Sequence, residues 1–489
     1  MKNIAIFSAL LFAAHIDAQE WTIETLGEGS KPEIALDTQG RPHIAYMLEE
    51  QVGGTYYAVR DAGSWQISEV APGYFYGPLD IALDATDLPH IAYHDHDAAD
   101  NIDDGDVVHA YLQDGQWQLH TVRHPGHDGW DSTIALDSQG RVHIASIDPV
   151  QFGATAGLEW ALGVDEQWTV EAIGSGPLPY EFGTAIAIDS EDRPHIAYHS
   201  GDERLNTGFG SDLFYAVLLT DGWTIAPVDV EGDVGKFPSL VLDSQDRPHI
   251  AYFERDERSA GYLKYAFWDG STWHMESVDR MENMNIAFIG ARRSMALALD
   301  DQDRPHIAYS NRATVKYIRK VDGAWEEAQT VAAPTAGGLE LGQLVSLALG
   351  PDGQPHLTFF ELPENARTST GTVYYAAGPV PPKTPTAITE VAGQAQPQSH
   401  TLEQNYPNPF NPTTTIRYAL PHAGPVRLDI YDSTGQHIRT LLRAHLEAGT
   451  YQASWDGTDE ESRAVASGLY LSRLSAAGFA QVRKMVLLR

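Results

Sequence analysis

The feature that most constrains this chain is a motif that recurs seven times, in the form Leu242-Asp243-Ser244-Gln245-Asp246-Arg247-Pro248-His249-Ile250-Ala251-Tyr252. Its histidines are His43, His90, His143, His195, His249, His306 and His356, spaced by 47, 53, 52, 54, 57 and 50 residues. A repeat of that period marks stacked supersecondary units, each of which needs neighbours to bury its faces. Within a copy, an apolar run such as Ile34 to Leu36 ends in Asp, then come two polar residues, Gly or Asp, and usually Arg-Pro. This reads as strand, tight turn, strand: Asp opens the turn, and Gly or Asp takes the left-handed position that other residues resist. Proline is tolerated at the first residue of the second strand, where no ladder hydrogen bond is yet required.

Two more strands follow each hairpin. The third is aromatic, as in Leu213-Phe214-Tyr215-Ala216 and Val373-Tyr374-Tyr375-Ala376, and the fourth opens on tryptophan, as at Trp65, Trp117, Trp168, Trp223, Trp273 and Trp325. Four antiparallel strands per repeat make a propeller blade. The seventh repeat stops after its third strand, at Ala377, while Trp21-Thr22-Ile23-Glu24-Thr25-Leu26 is a tryptophan strand with no repeat ahead of it. The N-terminal strand is therefore expected to complete the seventh blade and remove an open edge. The fold class that follows is all-β, a seven-bladed β-propeller over residues 19–378 closed by its N-terminal strand. Turns between first and second and between third and fourth strands are short and share one face of the ring. The longer connections share the other, where function usually sits.

Residues 1–18 carry Lys2 and an apolar run from Ile4 to Ala14, the pattern of a secretory signal peptide. No later run is long enough to cross a bilayer as a helix. The chain has no cysteine, so an exported fold must hold by packing and hydrogen bonds alone. The net charge is −35, yet from Leu402 onward nine Lys and Arg face eight Asp and Glu, so the acidity belongs to the repeats. Such a surface excludes nucleic acid and anionic membrane as partners. A monomer is expected.

Residues 379–401, with Pro381, Pro382, Pro385 and Gln394 to Gln398, read as a linker. Six strand-like segments follow between Thr415 and Leu488, with turn signals at Asp432 to Gly435 and at Asp456-Gly457, and fit a small Ig-like β-sandwich over residues 402–489. The residues Asn405, Pro407, Asn408, Pro409, Phe410, Asn411 and Pro412, with Gly449-Thr450-Tyr451, Trp455-Asp456-Gly457, Gly468-Leu469-Tyr470 and an ending that begins at Lys484, carry a specific likeness. This segment resembles the type A C-terminal sorting domain of the type IX secretion system, and is similar to the Ig-like module of flagellar hook-capping proteins. The resemblance implies type IX secretion machinery as partner, passage of the outer membrane, and a final location outside the cell or on its surface. Residues 21–377 resemble secreted bacterial propellers with Pro-His-Ile-x-Tyr repeats, a group without a single activity. Their turns Asp114-Gly115-Gln116-Trp117 and Asp269-Gly270-Ser271-Thr272-Trp273 are shorter than the Asp-box of sialidases, so no sialidase residues carry over.

The seven histidines recur in seven different blades, whose sheets pack roughly 10 Å apart. They are expected to hydrogen-bond a neighbouring turn or strand rather than share a metal. Residues that break the repeat are better candidates. The run from His94 to Asp106 holds Asp95, Asp97, Asp103, Asp104 and Asp106, whose carboxylates suit calcium, while His94-Asp95-His96 suits zinc; a plain solvated acidic loop is the competing reading. No cofactor is required, and calcium is the one considered. Tyr76, His127, Trp130 and Tyr180 supply flat surfaces and polar edges for a sugar ring, with His94, His96 and His199 beside them. Arg204, Arg255, Arg293 and Arg312 fall in blades four to six and suit the carboxylate or sulfate groups of an anionic glycan, unless they pair with acids such as Glu254 and Asp256. Three functions remain open: non-catalytic binding of a glycan or surface protein through the long-loop face, a polysaccharide lyase or glycoside hydrolase working there, or a structural adhesion protein.

Overall fold

The computed structural model describes residues 21–48, 53–75, 78–96, 105–122, 130–148, 157–164, 167–175, 183–201, 211–255, 260–281, 294–311, 314–321, 323–333, 338–341, 344–363, 370–379, 389–390, 397–446, 448–459, 463, 465–476 and 479–488. The proposed signal segment 1–18 lies outside them. The chain divides into two compact units, residues 1–379 and 380–489, and the described elements of both are strands.

In the first unit each repeat forms an antiparallel four-stranded blade. Blade 5 is representative: Asp233–Leu242, Pro248–Arg255, Gly261–Trp268 and Trp273–Met281 pair in sequence order. The innermost strands touch one another in order round the ring, and the last, Ser346–Leu349, returns to the first. Closure follows the expectation. The strand Thr22–Leu36 serves two blades: Thr22 to Gly29 pair with Gly371–Ala377 of blade 7, and Ser30 to Leu36 pair with Pro42–Leu48 of blade 1. In blade 6 the tryptophan strand is interrupted, as Ala324–Trp325 and Gln329–Ala332.

Blades adhere through apolar faces, for example Met47, Tyr57 and Ala71 of blade 1 against Ile81, Ile91 and Tyr93 of blade 2. At each junction the tryptophan of one blade stands edge-on to the central aromatic of the blade before it. The pairs are Tyr57–Trp117, His109–Trp168, Trp160–Trp223, Tyr215–Trp273, Tyr265–Trp325, Tyr317–Trp21 and Tyr375–Trp65, with centroids 5.2 to 5.6 Å apart. Such pairs contribute about 1 kcal/mol each beyond the area they bury. Trp21, from the other end of the chain, thus fills the seventh place.

The repeated motif builds a compact hydrogen-bonded turn. Oδ1 of Asp243 accepts the backbone N–H of Gln245 (2.9 Å) and Arg247 (2.9 Å), while Oδ2 receives the Arg247 guanidinium and faces His249 Nε2 at 3.4 Å. The other ring nitrogen, Nδ1, takes the Tyr265 hydroxyl. In blade 3 the donor to His143 Nδ1 is the Trp160 indole N–H (3.2 Å), which can only donate, so Nδ1 is the acceptor there and Nε2 carries the proton. These histidines are structural, as their repetition suggested. Burial pushes His43, His143, His195 and His249 toward the neutral form against the pull of the Asp carboxylate.

Asp87, Asp192, Asp246 and Asp303 occupy the left-handed turn position, with φ between 58° and 65°, and Gly40, Gly140 and Gly353 occupy it in the other blades. The aspartates do more than tolerate it. Each accepts the backbone N–H of a residue in the preceding blade: Thr38 with Asp87, Ser138 with Asp192, Ser190 with Asp246 and Ser244 with Asp303, at 2.9 to 3.0 Å. The hydroxyls of the same four residues donate to the other carboxylate oxygen. Where glycine sits there instead, the facing residues are Pro351, Ala85 and Asp301, so no such stitch forms.

The second unit is a sandwich of two four-stranded sheets. One contains Thr414–Leu420 and Gly449–Trp455, the other Gly424–Asp432, His437–Leu446, Gly468–Ala476 and Phe479–Leu487. Between them lie Ile416, Tyr418, Leu428, Ile430, Trp455, Leu474 and Met485. Thr389–Glu390, within the stretch read as a linker, adds a short strand beside Gly449–Trp455. The Asn405 to Pro412 segment is fastened to the last strand. Asn408 Oδ1 accepts the Val486 N–H (2.9 Å), and the Phe410 N–H donates to Val486 O (3.0 Å) beneath a buried ring. Asn405 is buried and bonds Pro407 O and Thr414, whereas Pro407, Asn408, Pro409, Asn411, Pro412 and Lys484 are exposed.

Candidate functional site

Among the described residues the turns from first to second and from third to fourth strands are short, as expected. Of the candidate residues, Tyr76, Asp97, Asp103, Asp104, His127, Tyr180, Arg204, Arg293 and Arg312 are all outside the described residues. Trp130 opens the inner strand of blade 3.

His94 and His199 occupy equivalent positions on second strands, directly after the repeat tyrosine, and both are buried. Asp95 and His96 continue the same strand, opposite Asp106 and Gly105. Among the described residues no group of three or more His, Asp or Glu is arranged to hold a metal ion. Of the carboxylates considered for calcium, Asp97, Asp103 and Asp104 lie outside that set.

Arg255 is not a free anion receptor. Its Nε donates to Asp233 Oδ2 at 2.7 Å, and Asp233 also binds the buried Lys236 at 3.2 Å. Next to it on the long-loop side of the blade 4–5 junction, Lys264 Nζ contacts Asp229 at 2.5 Å and Glu254 at 3.2 Å. The Tyr252 hydroxyl donates to the same Asp229 at 2.7 Å. Burial opposes ionisation of Asp229, but the Lys264 ammonium and Tyr252 hydroxyl outweigh it and hold the carboxyl below its ordinary range. Burial and the hydrogen bond to Asp229 push the Tyr252 phenol up. The blade 5–6 junction repeats the theme, with Tyr309 donating to Asp279 and Lys316 3.5 Å away. A phenol already donating to a carboxylate is a poor proton acceptor, so these tyrosines position charge rather than act as bases.

Sequence reasoning missed Lys236, Lys264, Asp229 and Asp279. Their signal was available: Lys264 and Lys316 replace the aromatic or apolar residue that precedes the central aromatic in the third strands of blades 1, 2, 4 and 7.

Two cavities lie on the short-turn face. One, of about 260 Å³, opens between blades 2 and 3 and is lined by His90, His109, Tyr111, His120, Gly140 and Trp168 among others. Another, of about 240 Å³, lies between blades 5 and 6 beside Arg247, Asp303 and Lys320. In the second, Lys320 is held by both oxygens of Glu276 at 2.6 and 2.7 Å.

Residues 411–478 match the FlgD Ig-like domain family. No curated protein matches the chain. Among solved structures, an ulvan lyase of polysaccharide lyase family PL25, bound to a glucuronate and sulfated rhamnose fragment, is 13% identical with a TM-score of 0.50, over 71% of this chain and 95% of its own. PorZ of Porphyromonas gingivalis, a surface component of the type IX secretion system, is 12% identical with a TM-score of 0.41, over 94% of this chain and 59% of its own. An α-L-arabinanase of Penicillium chrysogenum is 10% identical with a TM-score of 0.42, over 62% of this chain and 92% of its own. At these identities the likeness is one of fold: the chain is a β-propeller followed by an Ig-like domain of the FlgD type.

Proposed function

We propose that the propeller is a secreted or surface-held module that binds an anionic glycan, without catalysis, through its long-loop face. The observation that carries this reading is one of sequence: Arg204, Arg293 and Arg312 fall in the longer connections of blades 4 to 6, outside the repeated motif, in a domain otherwise strongly acidic. Long connections on a rigid scaffold are where function usually sits. The ionisable groups described there are neutralised in pairs, which suits a fixed binding surface better than proton transfer. The ulvan lyase, whose fold is similar, holds a uronate and sulfated sugar, which agrees with this ligand class. The Ig-like domain, with Asn405 to Pro412 and Lys484, is proposed as the label for type IX export.

Immobilised ulvan and other uronate or sulfated polysaccharides test the reading. Binding that weakens with salt and is lost in Arg293→Ala/Arg312→Ala supports it. Release of unsaturated ends absorbing in the ultraviolet would make the protein a lyase, and no binding to any polyanion would reject the reading. Deleting residues 402–489 should leave the propeller inside a type IX-secreting host.

A further inference from the structure

The cleft between blades 2 and 3 stands on the face opposite the one just discussed. This junction departs from the repeat at several places. Ala85 and Gly140 replace the Ser/Thr and Asp that stitch the neighbouring junctions. His109 replaces the tyrosine that caps the repeat histidine in five of the other blades, and its Nε2 lies 2.9 Å from His90 Nδ1. Burial holds His109 neutral, with its pKa near 3. Gly163 leaves room where a side chain would strike the Trp168 ring.

The result is a pile of flat rings. His109 stacks on Tyr111 (5.3 Å, 14°) and Tyr111 on His120 (5.5 Å, 23°), with Trp168 edge-on to His109 at 5.6 Å. Tyr111 and His120 are partly exposed, so the pile forms a ledge. At four other junctions the tryptophan N–H donates across the junction, to Ser68, Glu276, Gln329 or Glu24. The Trp168 N–H is buried and has no acceptor among the described residues, and the same holds for Trp223 at the next junction.

We propose that this cleft is a second binding site, for an uncharged sugar ring, with the ring seated against Tyr111 and His120. A pyranose has an apolar face for the ledge and a polar rim for the imidazoles. The lining carries no carboxylate, lysine or arginine, so nothing there compensates a ligand charge. The volume of about 260 Å³ admits one ring rather than a chain.

Saturation-transfer NMR on the full chain tests this with methyl glycosides of glucose, galactose, xylose and rhamnose, each titrated separately. At least one should receive saturation on its ring protons. Tyr111→Ala removes the middle of the ledge and should weaken that sugar about tenfold. Ala85→Ser/Gly140→Asp installs the stitch present at the neighbouring junctions across the cleft mouth and should weaken it further while preserving the fold. No transfer to any of the four sugars, or transfer undiminished in both variants, overturns the proposal. Neither variant touches the opposite face, so polyanion binding should survive both. Its absence in the wild type would reject the long-loop reading and leave this one standing.

Discussion

Blades 5 and 7 contain the same motif under different obligations, and the comparison shows what each part of it is for. Blade 5 has Asp243 at the turn, Arg247 and His249 upon it, and Ser190 of blade 4 stitched to Asp246. Blade 7 has Gly350 where the Asp should be and Gly353 at the left-handed position; Asp352 accepts the Gln354 N–H at 3.0 Å and is the carboxylate that acts on His356, which still takes the Tyr375 hydroxyl at 2.6 Å. What blade 7 has instead is the shared strand, with a ladder from Thr22↔Ala377 to Gly29↔Gly371. The side-chain stitch ties blade 5 to blade 4, whereas the main-chain ladder ties blade 7 to blade 1.

The largest effect should come from removing the ladder. Deleting residues 19–27 strips Trp21 and most of the shared pairing, and should abolish the cooperative melt seen by calorimetry; an unchanged melt would break the comparison. Next, Asp243→Ala leaves two backbone donors, Arg247 and His249 without their acceptor. It should cost about 3 kcal/mol in denaturant titration, a loss blade 7 does not suffer. A similar effect attends acidification. Burial lowers His356 from 6.5 to about 4, so the unfolded chain takes up its proton first. Stability is then full above pH 6.5 and lost as pH falls toward 4, by up to about 3 kcal/mol from this group. In His356→Gln that slope should be shallower. Smallest is the stitch itself: Ser190→Ala should cost about 0.5 kcal/mol. The reciprocal Ala85→Ser/Gly140→Asp change should raise the melting temperature slightly.

The ring was legible because its information is periodic. Trp21 could be matched to blade 7 since six other tryptophans defined the place it fills, and the histidines declared themselves structural by recurring. The stitches were equally readable in hindsight: Thr38, Ser138, Ser190 and Ser244 precede, one repeat ahead, the four repeats with Asp rather than Gly at the turn. The candidate site was not legible for the converse reason. Arg204, Arg293 and Arg312 sit in connections where the repeat says nothing about backbone path. Arg255 was recognisable as a charge, but its pairing with Asp233 depends on a bulged inner strand, with register shifts on either side of Lys236, that no periodicity announces. His120 and Tyr111 looked like ordinary strand residues because their interest lies in what the next blade lacks.

The bond between Thr22 Oγ1 and Ala377 O joins positions 355 residues apart. Contacts of such sequence separation form slowly, because a long loop must close before they contribute. Until the final hairpin emerges, the nascent chain carries an unsatisfied strand border at each end, open to pairing with a sister molecule. Sealing of the ring therefore waits on the last blade, whatever the earlier blades have already achieved.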